Sequence, residues 1–503
     1  MASSSTKPDE HRCEWRDVVE AQHRTIGDLQ EKVNALAAQY EELKRLHFGK
    51  KSERRPRTKL PPAVPPPTST PEELRAKRAE AREERRGAMT TVDEGVVPLA
   101  RTECPSCSGA LAPAGQSEPT ETIEYVAGHF RRRIARCQTK SCKCGYIEQA
   151  KGPVRLGGRG SYAPSFAAHI VVAKCADAIP IHRIEKQLER QGVPVARSTM
   201  TDIFLRASAI LEPVYKAMVG AVPGASVVHA DESPFRQQDK EGRVYFWTFA
   251  TQENTVYSYA GTRSGTVAQG VLGDSKGTLV VDAYTGYNRV TGADGRTRAG
   301  CYAHVRRKFH DALVHPEAKE AYDLIGKLYA IEAEARREGI LGTGAHAERR
   351  RVQSAPIVSE LFRKARDWRE ANEPRGELGK AVGYMLDNEP HLRVFLANAA
   401  VPIDNNTAEQ KMRRVALGRA NYLFAGSANG GKALAILYSV VATCEQHKIN
   451  PQAYLEAALA ETITEDGAAE WTPKAWLERV TSKPGADPPP DGDGQPTGSN
   501  DGA

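Results

Sequence analysis

Three acidic residues, Asp231, Asp282 and Glu409, stand where three different elements can bring carboxylates to one point. Carboxylates on rigid elements bind divalent cations, and a pair of such ions clamps the attacking and leaving oxygens of an in-line displacement at phosphorus. The chemistry this points to is metal-dependent phosphoryl transfer. Taken singly, each acid has a plainer role. An Asp at a strand end commonly forms a turn or caps a helix. Asn406-x-x-Glu409 has the form of a capping box, in which the Glu returns a hydrogen bond to the helix N-terminus. The order of the surrounding elements decides between these readings.

Asp231 closes the apolar run Ala225-Ser-Val-Val-His-Ala-Asp231, which follows Pro223 and Gly224 and reads as a buried strand with the acid at its C-terminal end. Gly277-Thr-Leu-Val-Val-Asp282 reads the same way. Glu409 opens a helix in which Ala408, Met412 and Val415 share one face. Between the first two acids, Gly242 to Thr251 and Thr255 to Tyr259 are rich in aromatic and β-branched residues and read as two more strands of an antiparallel meander. A helical spacing of Val267, Val271 and Leu272 comes next. Ala299-Gly-Cys-Tyr-Ala-His304 reads as a fifth strand, running into a basic helix that starts near Val305. Three antiparallel strands, a helix, two further strands and an acidic helix make an α/β core with a ribonuclease-H-like mixed sheet, in which the acids of the first and fourth strands meet that of the last helix.

The 503 residues exceed one ordinary domain, and a 40% hydrophobic content fills a sizeable core. The net charge of +7 is concentrated in runs: Lys44 to Arg57, Arg131-Arg132-Arg133 and Arg306-Arg307-Lys308. Beside a phosphoryl-transfer site, such runs favour DNA or RNA as partner. The absence of a membrane-length apolar run and the polar first sixteen residues lead us to expect a cytoplasmic protein, at the nucleoid of a bacterium if DNA is its substrate.

Five of the nine cysteines fall between positions 104 and 144, a spacing that in a reducing compartment indicates metal rather than disulfides. Cys104-Pro-Ser-Cys107 has the form of a zinc knuckle, and Cys137 with Cys142 makes the second pair, Cys144 standing as substitute for Cys142. Four protein ligands make such Zn2+ structural. Upstream, Ile26, Leu29, Val33, Leu36, Tyr40 and Leu43 follow the a/d spacing of a short coiled coil, which either packs against the rest of the protein or, if it pairs between chains, makes a homo-oligomer, at least a dimer. The expected organisation is a coiled coil over 14–48, a basic and Pro-rich linker over 49–98 and a zinc region over 99–150. A helical region with a helix-turn-helix pattern suited to DNA binding follows over 151–222, with Ser198-Thr199 capping its last helix. The catalytic core covers 223–460 with a helical insertion at about 311–400, and 461–503 form an extension with a disordered tail.

Taken together these segments resemble the DDE transposases of the insertion-sequence-66 type over nearly all of the chain except the tail. The resemblance rests on Leu46-His-Phe-Gly-Lys-Lys-Ser-Glu-Arg54, Cys104-Pro-Ser-Cys107, His229-Ala-Asp-Glu-Ser233, Asp282-Ala-Tyr-Thr-Gly-Tyr287 and Cys301-Tyr-Ala-His-Val-Arg-Arg-Lys-Phe309. Asp404-Asn-Asn-Thr-Ala-Glu409 and Gly418-Arg-Ala-Asn-Tyr-Leu-Phe-Ala-Gly-Ser427 are its most specific parts. It implies that Asp231, Asp282 and Glu409 form the acidic triad and hold Mg2+ or Mn2+, and that the reaction is cleavage at the ends of a mobile element followed by strand transfer into target DNA. It also implies a helical insertion before the Glu and small accessory transposition proteins as partners. The insertion has independent support, since the interval from Asp282 to Glu409 is more than twice that from Asp231 to Asp282. His304, Arg306 and Arg307 fall where they can contact phosphate. Three positions depart from the family pattern: Ser233 for the usual Thr, Gln410 for Arg and Ala420 for Lys. Two other classes compete: a nuclease of the same fold that cuts without joining, and a catalytically decayed zinc-containing DNA-binding protein.

Overall fold

The computed structural model describes residues 160–482 continuously, together with 130–141, 147–149, 152–158 and the isolated positions 75, 76, 80 and 128. The expected coiled coil, most of the linker, Cys104, Cys107, Cys142, Cys144 and the last residues of the tail lie outside these. The chain divides into two units, Met1–Ser117 and Glu118–Ala503, and the elements below belong to the second.

A two-stranded antiparallel hairpin, Thr139–Ser141 with Ile147–Gln149, precedes three helices, α1 (Pro164–Cys175), α2 (Ile181–Arg190) and α3 (Arg197–Ala221). The residue capping α3 is Ala196, with no side-chain bond, so Ser198 and Thr199 lie inside the helix rather than at its cap. Then comes the five-stranded sheet: β1 (Val227–Arg236), β2 (Arg243–Ala250), β3 (Thr255–Ala260), β4 (Thr278–Val280) and β5 (Thr297–Ala299), with α4 (Thr266–Leu272) between β3 and β4. Its spatial order is β3-β2-β1-β4-β5. β1 and β2, and β2 and β3, pair antiparallel, while β1 with β4 and β4 with β5 pair parallel. This mixed sheet with its many helices is an α/β fold.

Alternation along β4 and the residue after it feeds two cores. Leu279 and Val281 enter one that β1, β2 and β3 share with α1, α3 and the C-terminal helices α12 (Asn406–Tyr422), α13 (Ala428–Gln446) and α14 (Pro451–Ala460). Val280 enters a second, built from the helices that follow β5. On β3, an edge strand, two backbone N–H groups that have no neighbouring strand are satisfied by helix α13: Tyr257 donates to Ser439 Oγ at 2.8 Å and Thr255 to Thr443 Oγ1 at 3.0 Å. Gly431 lets the start of α13 approach, because a Cβ there would fall 2.3 Å from the Tyr259 ring.

The second core draws on α5 (Tyr302–Asp311), α6 (Pro316–Arg337), α8 (Ala355–Ala371), α9 (Glu377–Asp387) and the short α10 (Glu389–Leu392) and α11 (Val394–Ala397), while α7 (Gly344–Arg349) lies between α6 and α8 in the chain. The fifth strand lies upstream of the expected Ala299–His304: it covers Thr297–Ala299, and the helix expected near Val305 already begins at Tyr302. Tyr302, Val305 and Phe309 are buried at helical spacing, so packing commits 302–309 to α5. Between α7 and α8 a π-helical turn, Arg350–Ser354, aims the fully buried Arg350 inward. Its guanidinium meets both oxygens of Glu332, at 2.7 and 2.6 Å, in a bidentate pair. Nη1 donates to the carbonyls of Phe395, Asn398 and Val401 at 2.7, 3.1 and 2.9 Å. The chain leaving the helices is thereby clamped just before the turn at residues 403–405. A final helix, α15 (Pro473–Thr481), closes the described chain. No helix among the described residues is long and apolar enough to cross a membrane.

Candidate active site

Parallel pairing of β1 with β4 lasts only from Val227 to His229, whereas pairing with β2 continues to Arg236. Asp231 therefore lies inside β1, not at its end as the sequence pattern indicated, just past the point where β4 departs. Asp282 follows β4 by two residues. Divergence of two parallel strands at their C-terminal ends opens a crevice, the usual ligand site of such sheets. The third acid arrives on α12, which packs against β1 and β2.

Asn405 fixes that arrival. It is 2% exposed; its Nδ2 donates to Ala230 O at 2.8 Å and its Oδ1 meets His229 Nδ1 at 3.1 Å, so its side chain takes over where β4 has left β1. Its own N–H points to Cys301 Sγ at 3.2 Å, and its carbonyl accepts from Glu409 N at 3.2 Å. Tyr302 N donates to Ile403 O at 3.1 Å, joining the start of α5 to the same turn. Asn406 bonds back to Asp404, N to Oδ1 at 3.1 Å and Nδ2 to Oδ2 at 2.6 Å. There is no capping box: neither Asn405 nor Asn406 caps α12 with its side chain, and Glu409 Oε1 is buried without a hydrogen-bond partner among the described residues.

The electrostatics tie the acids together. Burial pushes the Asp231 carboxyl up to about 7, aided by the negative charges of Glu232, Asp282 and Glu409, while the Glu232 N–H that bonds Oδ1 at 2.9 Å pulls the other way. Asp282 Oδ1 accepts from Tyr284 N at 3.0 Å, and Arg298 holds the local backbone through the carbonyls of Asp282 and Tyr284. Four carboxylates thus influence one another where the sequence pattern had indicated three. The fourth, Glu232, has a nearly inaccessible side chain and bonds Arg263 Nη2 at 2.6 Å and Tyr287 OH at 2.6 Å. Burial raises its carboxyl, and these two donors offset part of the rise. Strand alternation hid it, because the residue after a site acid is expected on the other face.

His304 is drawn to the site, its Nδ1 lying 3.6 Å from Glu409 Oε1. Arg306 instead stacks over Tyr322, with its carbon 4.0 Å from the ring centroid, and Arg307 is exposed. Cys301 Sγ, His304 and Glu409 offer ligand atoms within 4.8 Å of one another. Burial pushes the Cys301 thiol up to about 12. Of the expected zinc ligands only Cys137 is among the described residues, half-buried and with a free thiol.

The acids, Asn405, Cys301 and His304 fall within residues 159–433, which match the family described as Transposase IS66 family. The chain is similar to "Uncharacterized protein y4jD" of Sinorhizobium fredii, 28% identical over 387 residues that cover 72% of this chain and 75% of that one. It is also similar to "Uncharacterized protein y4hP" of the same organism, 28% identical over 402 residues, covering 73% and 72%. Because the family match spans more than half of its length and encloses Asp231, Asp282 and Glu409, the chain belongs to the IS66 family of transposases.

Proposed function

We propose that this chain cleaves DNA at the ends of a mobile element and joins the released 3′ hydroxyl to target DNA, with Asp231, Asp282 and Glu409 as its catalytic acids. The observation that carries the reading is the convergence of the three on one crevice, where burial, and then the charges of Glu232, Asp282 and Glu409, push the Asp231 carboxyl up to about 7. The sheet order β3-β2-β1-β4-β5, with one antiparallel and one parallel half, supports a ribonuclease-H-like core.

The residues fit a divalent cation: mutually repelling carboxylates and a buried, unbonded Glu409 Oε1 are groups that a cation would stabilise. Mg2+ or Mn2+ held by Asp231, Asp282 and Glu409 would supply charge neutralisation at phosphorus and a lowered pKa for the attacking water or hydroxyl. The chain contributes position. Asn405 fixes the first turn of α12 against β1, and Arg298 fixes the backbone on either side of Ala283. Arg307, exposed on α5, offers a contact to phosphate. In the first displacement water oxygen replaces the element's 3′ oxygen at phosphorus; in the second that 3′ oxygen replaces its counterpart in the target, so one P–O bond forms for each that breaks.

The test is strand transfer by the purified full chain on labelled inverted-repeat ends from the element that encodes it. Asp231→Asn should abolish joining and leave end binding intact; joining by the variant would sink the assignment. Cleavage without joined product would favour the nuclease reading. Binding that needs no divalent metal, with no metal-dependent reaction in the unaltered chain, would favour the decayed one.

A further inference from the structure

Two buried polar atoms face each other at the edge of the crevice. Among the described residues neither Glu409 Oε1 nor His304 Nδ1 has a hydrogen-bond partner, and they stand 3.6 Å apart. That separation is too long for a direct hydrogen bond between them. It does suit two ligand atoms on one ion, since metal–ligand bonds of roughly 2.1 Å at angles of roughly 90–120° place donors about 3.0–3.6 Å apart.

The frame around the pair is rigid. His304 is in the first turn of α5 and Glu409 in the first turn of α12, and the two helix starts are joined by Tyr302 N to Ile403 O at 3.1 Å and by Asn405 N to Cys301 Sγ at 3.2 Å. Tyr302, Val305 and Phe309 seat α5 in the second core. The third candidate ligand, Cys301, is already engaged, because its sulfur accepts the Asn405 N–H. Imidazole is left as the partner of the carboxylate.

We propose that His304 Nδ1 is a ligand of the cation that Glu409 holds, which makes this position a mixed nitrogen–oxygen site that favours Mn2+ over Mg2+. Imidazole nitrogen adds more to the affinity for a transition ion than for Mg2+, which prefers oxygen donors throughout. This rests on the reading of the acids as a metal site, and the experiment separates the two.

Metal-free full chain is loaded with Mn2+ and examined by pulsed electron paramagnetic resonance, alongside calorimetric titration with Mn2+ and with Mg2+. The expected result is a 14N coupling to bound Mn2+ that becomes a 15N coupling on histidine-selective labelling and disappears in His304→Gln. That variant should weaken Mn2+ binding by roughly tenfold or more and change Mg2+ binding by less than about threefold. Bound Mn2+ that is lost in Asp282→Asn and Glu409→Gln but shows no nitrogen coupling would overturn the role of His304 and leave the carboxylate site standing. Unaltered chain that binds no Mn2+ would overturn both. The labelling arm needs no variant, so a poorly folded substitution cannot mask the outcome.

Discussion

Asn405→Ala removes one small side chain and tests the whole delivery of Glu409. The amide makes two buried bonds, to Ala230 O at 2.8 Å and to His229 Nδ1 at 3.1 Å, and His229 is held neutral because burial lowers its pKa. With Ala230 at 1% and His229 at 8% exposure, water cannot readily replace the amide. Each group left unsatisfied costs about 1–3 kcal/mol, so the substitution should destabilise by roughly 3 kcal/mol. At about 2 °C per kcal/mol for a large unit, the melting temperature should fall by ~6 °C. Backbone bonds from Asn405 N and O survive in Ala, so α12 still starts in the same place, but its lateral tie to β1 is gone. Strand transfer at a temperature well below melting should therefore drop more than the folded fraction does. Differential scanning fluorimetry and the joining assay on one preparation give both numbers. A shift under about 1 °C, or joining that merely tracks the folded fraction, would refute the view that Asn405 replaces β4 as the neighbour of β1 at this point.

Asp231 should make metal-free protein less stable as pH rises. Its folded pKa of about 7 lies above the unfolded value near 4, so the stability it lends is present below about pH 4 and lost as pH climbs through 7, a change of roughly 4 kcal/mol. Asp231→Asn should flatten that part of the melting curve against pH and raise melting at pH 8; an unchanged slope would contradict it. Arg350→Met should destabilise by about 3–5 kcal/mol by stranding Glu332, and Arg350→Met with Glu332→Gln should recover part of it, both read by thermal melting, while a single-variant loss below about 1 kcal/mol would count against the clamp. Cys175, Cys301 and Cys444 are buried with thiols raised well above their usual range, so iodoacetamide at pH 8 followed by peptide mass spectrometry should find them modified only after unfolding.

Much of this could be read from the chain because burial writes itself into composition. The runs ending near Asp231 and Asp282 are apolar because helices cover both faces of β1 and β4. Their exact limits were not legible. β1 continues through Pro234 because beyond His229 it pairs on one side only, and a strand with one free edge tolerates a residue that cannot donate. The segment after Ala299 reads as strand on local pattern, and its packing beneath α6 and α9 makes it helix from Tyr302 instead. Nothing local marks the role of Asn405, because its partners, His229 and Ala230, lie far away in sequence. Glu232, Arg263 and Tyr287 are separated in the same way, and nothing local marks them as one hydrogen-bonded group.

The clamp on Arg350 bears on how freely this protein can be re-engineered. By chain position the helices after β5 look like a cassette that could be trimmed or exchanged between relatives without touching the sheet. Yet the segment that leads from them to Glu409 owes three of its carbonyl bonds to one guanidinium inside the cassette. The exchangeable module therefore does not end where the helices end. A graft that keeps activity has to carry Arg350, Glu332 and residues 395–401 together, and a chimera cut between them would separate the arginine from the carbonyls it was built to hold.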